Sequence, residues 1–196
     1  MATAPTLQPG ALYRHFHRIA WLAVALATCV IVFGAFVRLS DAGLSCPDWP
    51  TCYGKAAWPT HAEQVAGHAA VDIRAVDPSR AWREQFHRMI AGLLGVLVLA
   101  LALLATRRRP QGWLQVIGAS LAVAVAIPLY MAGQHVAASV LAIIAELVLL
   151  FAALRWSNVD LARTATLTLA VIIVQALLGM WTVTWLLKPV VVMAHL

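Results

Sequence analysis

Five apolar runs, each about 20 residues long, occupy most of this chain: 19–37, 88–106, 113–132, 136–154 and 164–187. A helix of about 20 residues covers a hydrocarbon core roughly 30 Å thick, so every run is long enough to span a bilayer. Lipid offers no hydrogen bonds to an exposed backbone, and a spanning segment of this length meets that condition as an α-helix. The expected fold is therefore all-α, a polytopic transmembrane helix bundle. Composition agrees: 62% of the residues are hydrophobic, 11% are charged and the mean hydropathy is +0.83, whereas a soluble domain carries about 25% charged residues. The formal charge of +6 does not indicate nucleic acid, because the basic residues cluster at the ends of the runs.

Residues 1–18 are polar and contain proline. The run that follows is too long for the core of a cleaved signal and lacks a small-residue cleavage site, so 1–18 reads as a cytoplasmic segment. A sixth apolar run opens at Val190, after Lys188-Pro189, and continues to the last residue. The chain is accordingly expected to be the N-terminal portion of a longer protein. It divides into 1–18, then 19–112 with two spans and a long loop at 38–86, then a hairpin at 113–156, and finally 157–196 with the fifth span and the start of a sixth.

Lys and Arg divide evenly between the two sides, and context breaks the tie. Arg107, Arg108 and Arg109 form a dense run in a very short loop, whereas the opposing residues lie mostly in a long loop, where the positive-inside rule is weaker. The N-terminus is expected in the cytoplasm of a bacterial cell with the 38–86 loop in the periplasm, which makes the inner membrane the address. Cys46 and Cys52 then face an oxidising compartment. The five residues between them, two of them proline, allow the short Cα separation of a disulfide. Cys29 lies within the first span and reads as a small packing residue. A short helix is expected around 61–68.

His87 stands where the second span opens, and His195 lies about one and a half turns into the sixth, entered from the same side. Two imidazoles on separate helices at similar depth are what bis-histidine haem ligation inside a bundle requires. Glu84, three residues before His87, shares its helical face and is a candidate base or stabiliser of positive charge. Arg38 and Arg88 are candidates for haem propionates, since guanidinium matches carboxylate geometry. In the fifth span, Gln175, Gly179, Met180, Trp181, Thr182 and Thr184 interrupt an apolar run, and Gly179 permits close approach of a flat ring or a neighbouring helix. Glu146, in the middle of the fourth span, requires a partner or a cavity. His135 could be that partner only if the chain folds back, and no role is assigned to it. His15, His17, His61 and His68 read as solvated loop residues.

These motifs together resemble a known family. Arg38-Leu-Ser-Asp-Ala-Gly-Leu-Ser-Cys-Pro-Asp-Trp-Pro-Thr-Cys-Tyr-Gly54, Glu84-Gln-Phe-His-Arg88, Gln175-Ala-Leu-Leu-Gly-Met-Trp-Thr-Val-Thr184 and Leu187-Lys-Pro-Val-Val-Val-Met-Ala-His-Leu196 are similar to the haem A synthase family. The resemblance implies two similar four-helix halves, of which this chain is the N-terminal one. His87 and His195 would be its histidine pair, Glu84 its glutamate, and Cys46 and Cys52 its outer-loop cysteines. It also implies haem O as substrate, with a methyl group oxidised to formyl by successive hydroxylation using water-derived oxygen, in making haem A for cytochrome c oxidase. Haem b would be the cofactor, held in the C-terminal half. Implied partners are membrane lipid, haem O synthase, and a quinone or other electron acceptor. The 113–156 hairpin departs from the family pattern, in which the basic loop leads straight to the helix bearing Gly-Met-Trp-Thr-Val-Thr.

Two other readings use the same residues. A membrane b-type cytochrome would need the histidines but neither Glu84 nor the cysteines. A membrane thiol–disulfide oxidoreductase would use Cys46 and Cys52 and leave the histidines idle.

Overall fold

The computed structural model describes residues 11–61, 63, 77–156 and 160–196. They form helices α1 (Ala11–Leu39), α2 (Pro78–Thr106), α3 (Gly112–Met131), α4 (His135–Arg155), α5 (Leu161–Thr184) and α6 (Pro189–His195). The first five are long and apolar enough to cross a membrane, and no strand occurs among the described residues. The chain is thus an all-helical, multi-pass membrane protein. Most of the expected helix around 61–68, His68 included, lies outside the described residues.

Helix boundaries follow from capping. Asp77 accepts a hydrogen bond from Ser79 N at 2.9 Å, and Pro78 occupies the first helical position. That cap starts α2 ten residues before the expected span, because the polar segment ahead of the apolar run is itself helical. The expected 38–86 loop is correspondingly shorter at its C-terminal side. α1 likewise begins before the apolar run and includes His15 and His17, which are therefore helical rather than loop residues. His17 accepts a hydrogen bond from Trp21 Nε1 at 2.9 Å. Asp160 caps α5 by accepting from Arg163 N at 3.1 Å, and it also pairs with Arg109 across the short basic loop. The Asp160 carboxyl is held below its ordinary pKa, first by the Arg163 amide and then by Arg109.

α2 and α5 are the central helices. α2 packs on α1, α3 and α5, while α5 packs on α2, α4 and α6, and α3 and α4 form a hairpin. The core where they meet is rich in alanine: Ala102, Ala119, Ala145, Ala165 and Ala170 interleave with Leu94, Val98, Leu149 and Leu169. Small side chains let helices approach closely where lipid supplies no hydrophobic drive between them. The outward faces carry large apolar side chains, among them Trp21, Ile31, Leu121, Leu147 and Phe151. Cys29, expected to pack, is exposed on α1, since that helix is flanked chiefly by α2.

Candidate functional site

One end of the bundle, the loop end, carries residues 40–61 and 77 between α1 and α2. Cys46 and Cys52 form a disulfide, with Cα atoms 4.7 Å apart. Both are 0% exposed, packed with Tyr53 and Ala81 under Trp58. Asp48 organises the turn between them, accepting from Tyr53 N at 2.6 Å, from Gly54 N at 2.8 Å and from Thr51 Oγ1. Tyr53 and Gly54 take positive φ values of 55° and 72°, which lets Cys52 and Lys55 exchange backbone hydrogen bonds of 2.9 and 3.1 Å. Burial, with Glu84 and then Asp48 nearby, raises the Tyr53 phenol above its ordinary pKa.

The first turns of α2 hold this loop. Glu84 Oε2 accepts from Ser45 N at 2.7 Å and Cys46 N at 2.9 Å, while Oε1 meets Arg88 at 2.6 Å. Arg88 donates from one terminal nitrogen to Asp48 O (2.7 Å) and Thr51 O (2.8 Å), and from the other to Cys46 O (3.3 Å) and Glu84. Gln85 Nε2 donates to Ala56 O at 2.7 Å and Pro50 O at 3.3 Å. Arg88 therefore directs its terminal donors at the loop and at Glu84. Arg38 lies exposed in the last turn of α1, at the loop end.

His87 and His195 stand at the same end, each against a glycine of the neighbouring helix. A Cβ built on Gly34 of α1 would sit 2.9 Å from His87 Cε1, and one built on Gly179 of α5 would sit 3.1 Å from His195 Cε1. Each glycine lies five residues before the end of its helix. The rings thus occupy equivalent cradles that any side chain on those glycines would fill. His195 reaches its place because α5 ends in a turn through Leu186 and Leu187, both at positive φ, after which α6 runs back along α5. His195 Nδ1 is 3.1 Å from Gln175 Oε1. His87 Nδ1 is buried and has no hydrogen-bond partner.

This arrangement fits a haem better than a bare metal ion. Among the described residues no three His, Cys, Asp or Glu side chains converge as a metal ion would require. Two imidazoles are the protein ligands a haem iron would take, its porphyrin supplying the remaining donors.

Sequence reasoning singled out Gly179 and Gln175 without giving either a partner. It missed Gly34, Gln85 and Asp48. A lone glycine between Phe33 and Ala35 near a span's end was the available signal for Gly34. Arg83 was also missed: its guanidinium lies over the Phe36 ring at 5.4 Å and its Nε is buried without a partner. Glu146 is half-buried on α4, with Oε1 unpartnered. His135 begins the same helix about 16 Å away along the axis, and packs edge-on against Tyr130 at 4.8 Å instead. Tyr130 in turn meets Trp49 of the disulfide loop at 6.4 Å.

Residues 17–196 match a sequence family described as "Cytochrome oxidase assembly protein". A curated relative from Shewanella oneidensis, named Heme A synthase, is 32% identical over 185 residues, covering 91% of this chain. The chain spans 41% of that relative's length. No solved structure matches.

Proposed function

Because the chain belongs to the haem A synthase family of cytochrome oxidase assembly proteins, we propose that its loop-end cradles hold haem O for oxidation of a methyl group to formyl. The observation that carries this reading is the pair of glycine-seated imidazoles, His87 on Gly34 and His195 on Gly179. The oxygen would come from water by successive hydroxylation. Taking a methyl to a formyl group removes four electrons, so an acceptor such as a quinone is required. In a bacterial inner membrane with the N-terminus cytoplasmic, the site lies near the periplasmic leaflet. Haem b, the cofactor suggested by the resemblance, supplies one-electron redox chemistry when bound.

His87 and His195 would hold the substrate iron. Arg38, exposed at this end, is the guanidinium assigned to a haem carboxylate. Arg88 serves instead to hold the disulfide loop in place above the site. Glu84 has both oxygens engaged, which suits a fixed negative charge one turn from His87 more than a waiting proton acceptor. The loop, stapled by Cys46–Cys52, is tied to the helix that carries His87. A thiol–disulfide oxidoreductase reading fares poorly, because both sulfurs are sealed from any incoming thiolate.

The experiment is mass analysis of haems extracted from cells expressing the full-length protein with His87 or with His87→Ala. Haem A should accumulate with the first and haem O with the second. Equal haem A from both would end the proposal, and haem bound without any haem A formation would favour a b-type cytochrome.

A further inference from the structure

The two histidines each sit against a glycine of a neighbouring helix but differ in their hydrogen bonding. His195 has both a wall and a hydrogen bond, and α5 supplies the two together. Gly179 receives the ring edge, and Gln175, one turn earlier, places Oε1 3.1 Å from Nδ1. With Gln175 presenting its oxygen, Nδ1 carries the proton and Nε2 keeps the lone pair. The ring can neither rotate nor change tautomer without losing that bond. His87 has the wall in Gly34, yet its Nδ1 is buried and donates to nothing. The polar residues around it on α2 are turned to the loop: Glu84 to Arg88 and two amides, Gln85 to two carbonyls, Arg88 to three. A back-side acceptor orients a ligating imidazole and strengthens it as a donor, and removing one weakens metal binding about 10–100-fold.

We propose that Gln175 is a positioning residue that makes His195 the permanent iron ligand, and that His87 is the exchangeable one, so that the axial position facing α2 is the one that opens. This rests on the haem reading given above. It adds an order to the two ligands, and it places the opening beneath the loop that Glu84 and Arg88 hold.

The test uses the detergent-solubilised chain loaded with haemin, read by optical spectrum, by carbon monoxide binding after reduction, and by the rate of haem loss to apomyoglobin. His87→Gly should retain haem in a high-spin form that binds carbon monoxide, and added imidazole should restore the low-spin spectrum. His195→Gly should lose its haem. Gln175→Leu should release haem about 10–100-fold faster than the parent, whereas Gln175→Glu, which keeps an acceptor, should release it no faster. Rescue by imidazole and by the glutamate variant separates ligation from misfolding. Equal haem loss from both histidine variants, or the reverse order, or an unchanged release rate in Gln175→Leu, would overturn the inference while leaving the haem reading intact. A parent spectrum that survives replacement of either histidine would remove that reading, and the inference with it.

Discussion

The Glu84 carboxylate meets the Arg88 guanidinium at 2.6 Å, one turn along α2, with 7% and 12% of the two side chains exposed. Between them they bind the loop at Ser45, Cys46, Asp48 and Thr51. Removing one member of a buried pair strands the other charge, at a cost of roughly 3–5 kcal/mol. Glu84→Gln and Arg88→Met should each lower the unfolding midpoint, and the double variant should cost less than the sum of the two. Additive losses in a double-mutant cycle would show that the pair does not act as a unit.

The disulfide closes a small loop inside an occluded cluster. By loop-closure entropy it should contribute about 2 kcal/mol. Cys46→Ser with Cys52→Ser should reduce haem A output while bound haem remains detectable by absorbance. Complete loss of haem absorbance would make the staple essential to the cradle itself.

The glycine cradles predict a separation of stability from binding. Alanine is about 1 kcal/mol better than glycine inside a helix, yet a Cβ at Gly34 would lie 2.9 Å from His87, and one at Gly179 3.1 Å from His195. Gly34→Ala should keep or raise helical stability and displace His87, and haemin titration should show affinity reduced about tenfold or more. Gly179→Ala should do less, since its contact is longer. Unchanged haemin affinity in Gly34→Ala would remove that cradle from the site.

Asp160 should confer pH dependence on the far end of the bundle. Its carboxyl titrates below the ordinary value in the folded chain, so its stabilisation is present above the unfolded pKa near 4 and fades as pH falls through the folded one. Asp160→Ala should cost about 1 kcal/mol at neutral pH. Thermal unfolding at pH 7 and pH 3 should show the gap from the parent narrowing in acid. A constant gap would mean that the charge contributes nothing.

The α3–α4 hairpin touches the loop through Tyr130, which stands between Trp49 and His135. Such ring pairs contribute about 0.5–1.5 kcal/mol each. Tyr130→Ala should speed limited proteolysis near Trp49, without altering helix content. Unchanged cleavage would leave the hairpin with no part in holding the loop.

Hydropathy by itself determined that the chain is helical and crosses the membrane repeatedly, since lipid leaves an apolar run of that length few ways to satisfy its backbone. Sequence also marked His87 and His195, because ionisable groups are costly in a span, and the cysteine pair, because it is expected in an oxidising compartment. What it left undecided was direction. Glu84 read as a carboxylate near a haem and Arg88 as a partner for propionates, and only the packed structure revealed their bonds to the loop, through carbonyls and amides some 40 residues away in the chain. Gly34 stayed hidden for the same reason: its importance lies in the ring on the next helix, and helical periodicity records which residues share a face but not which neighbour fills it.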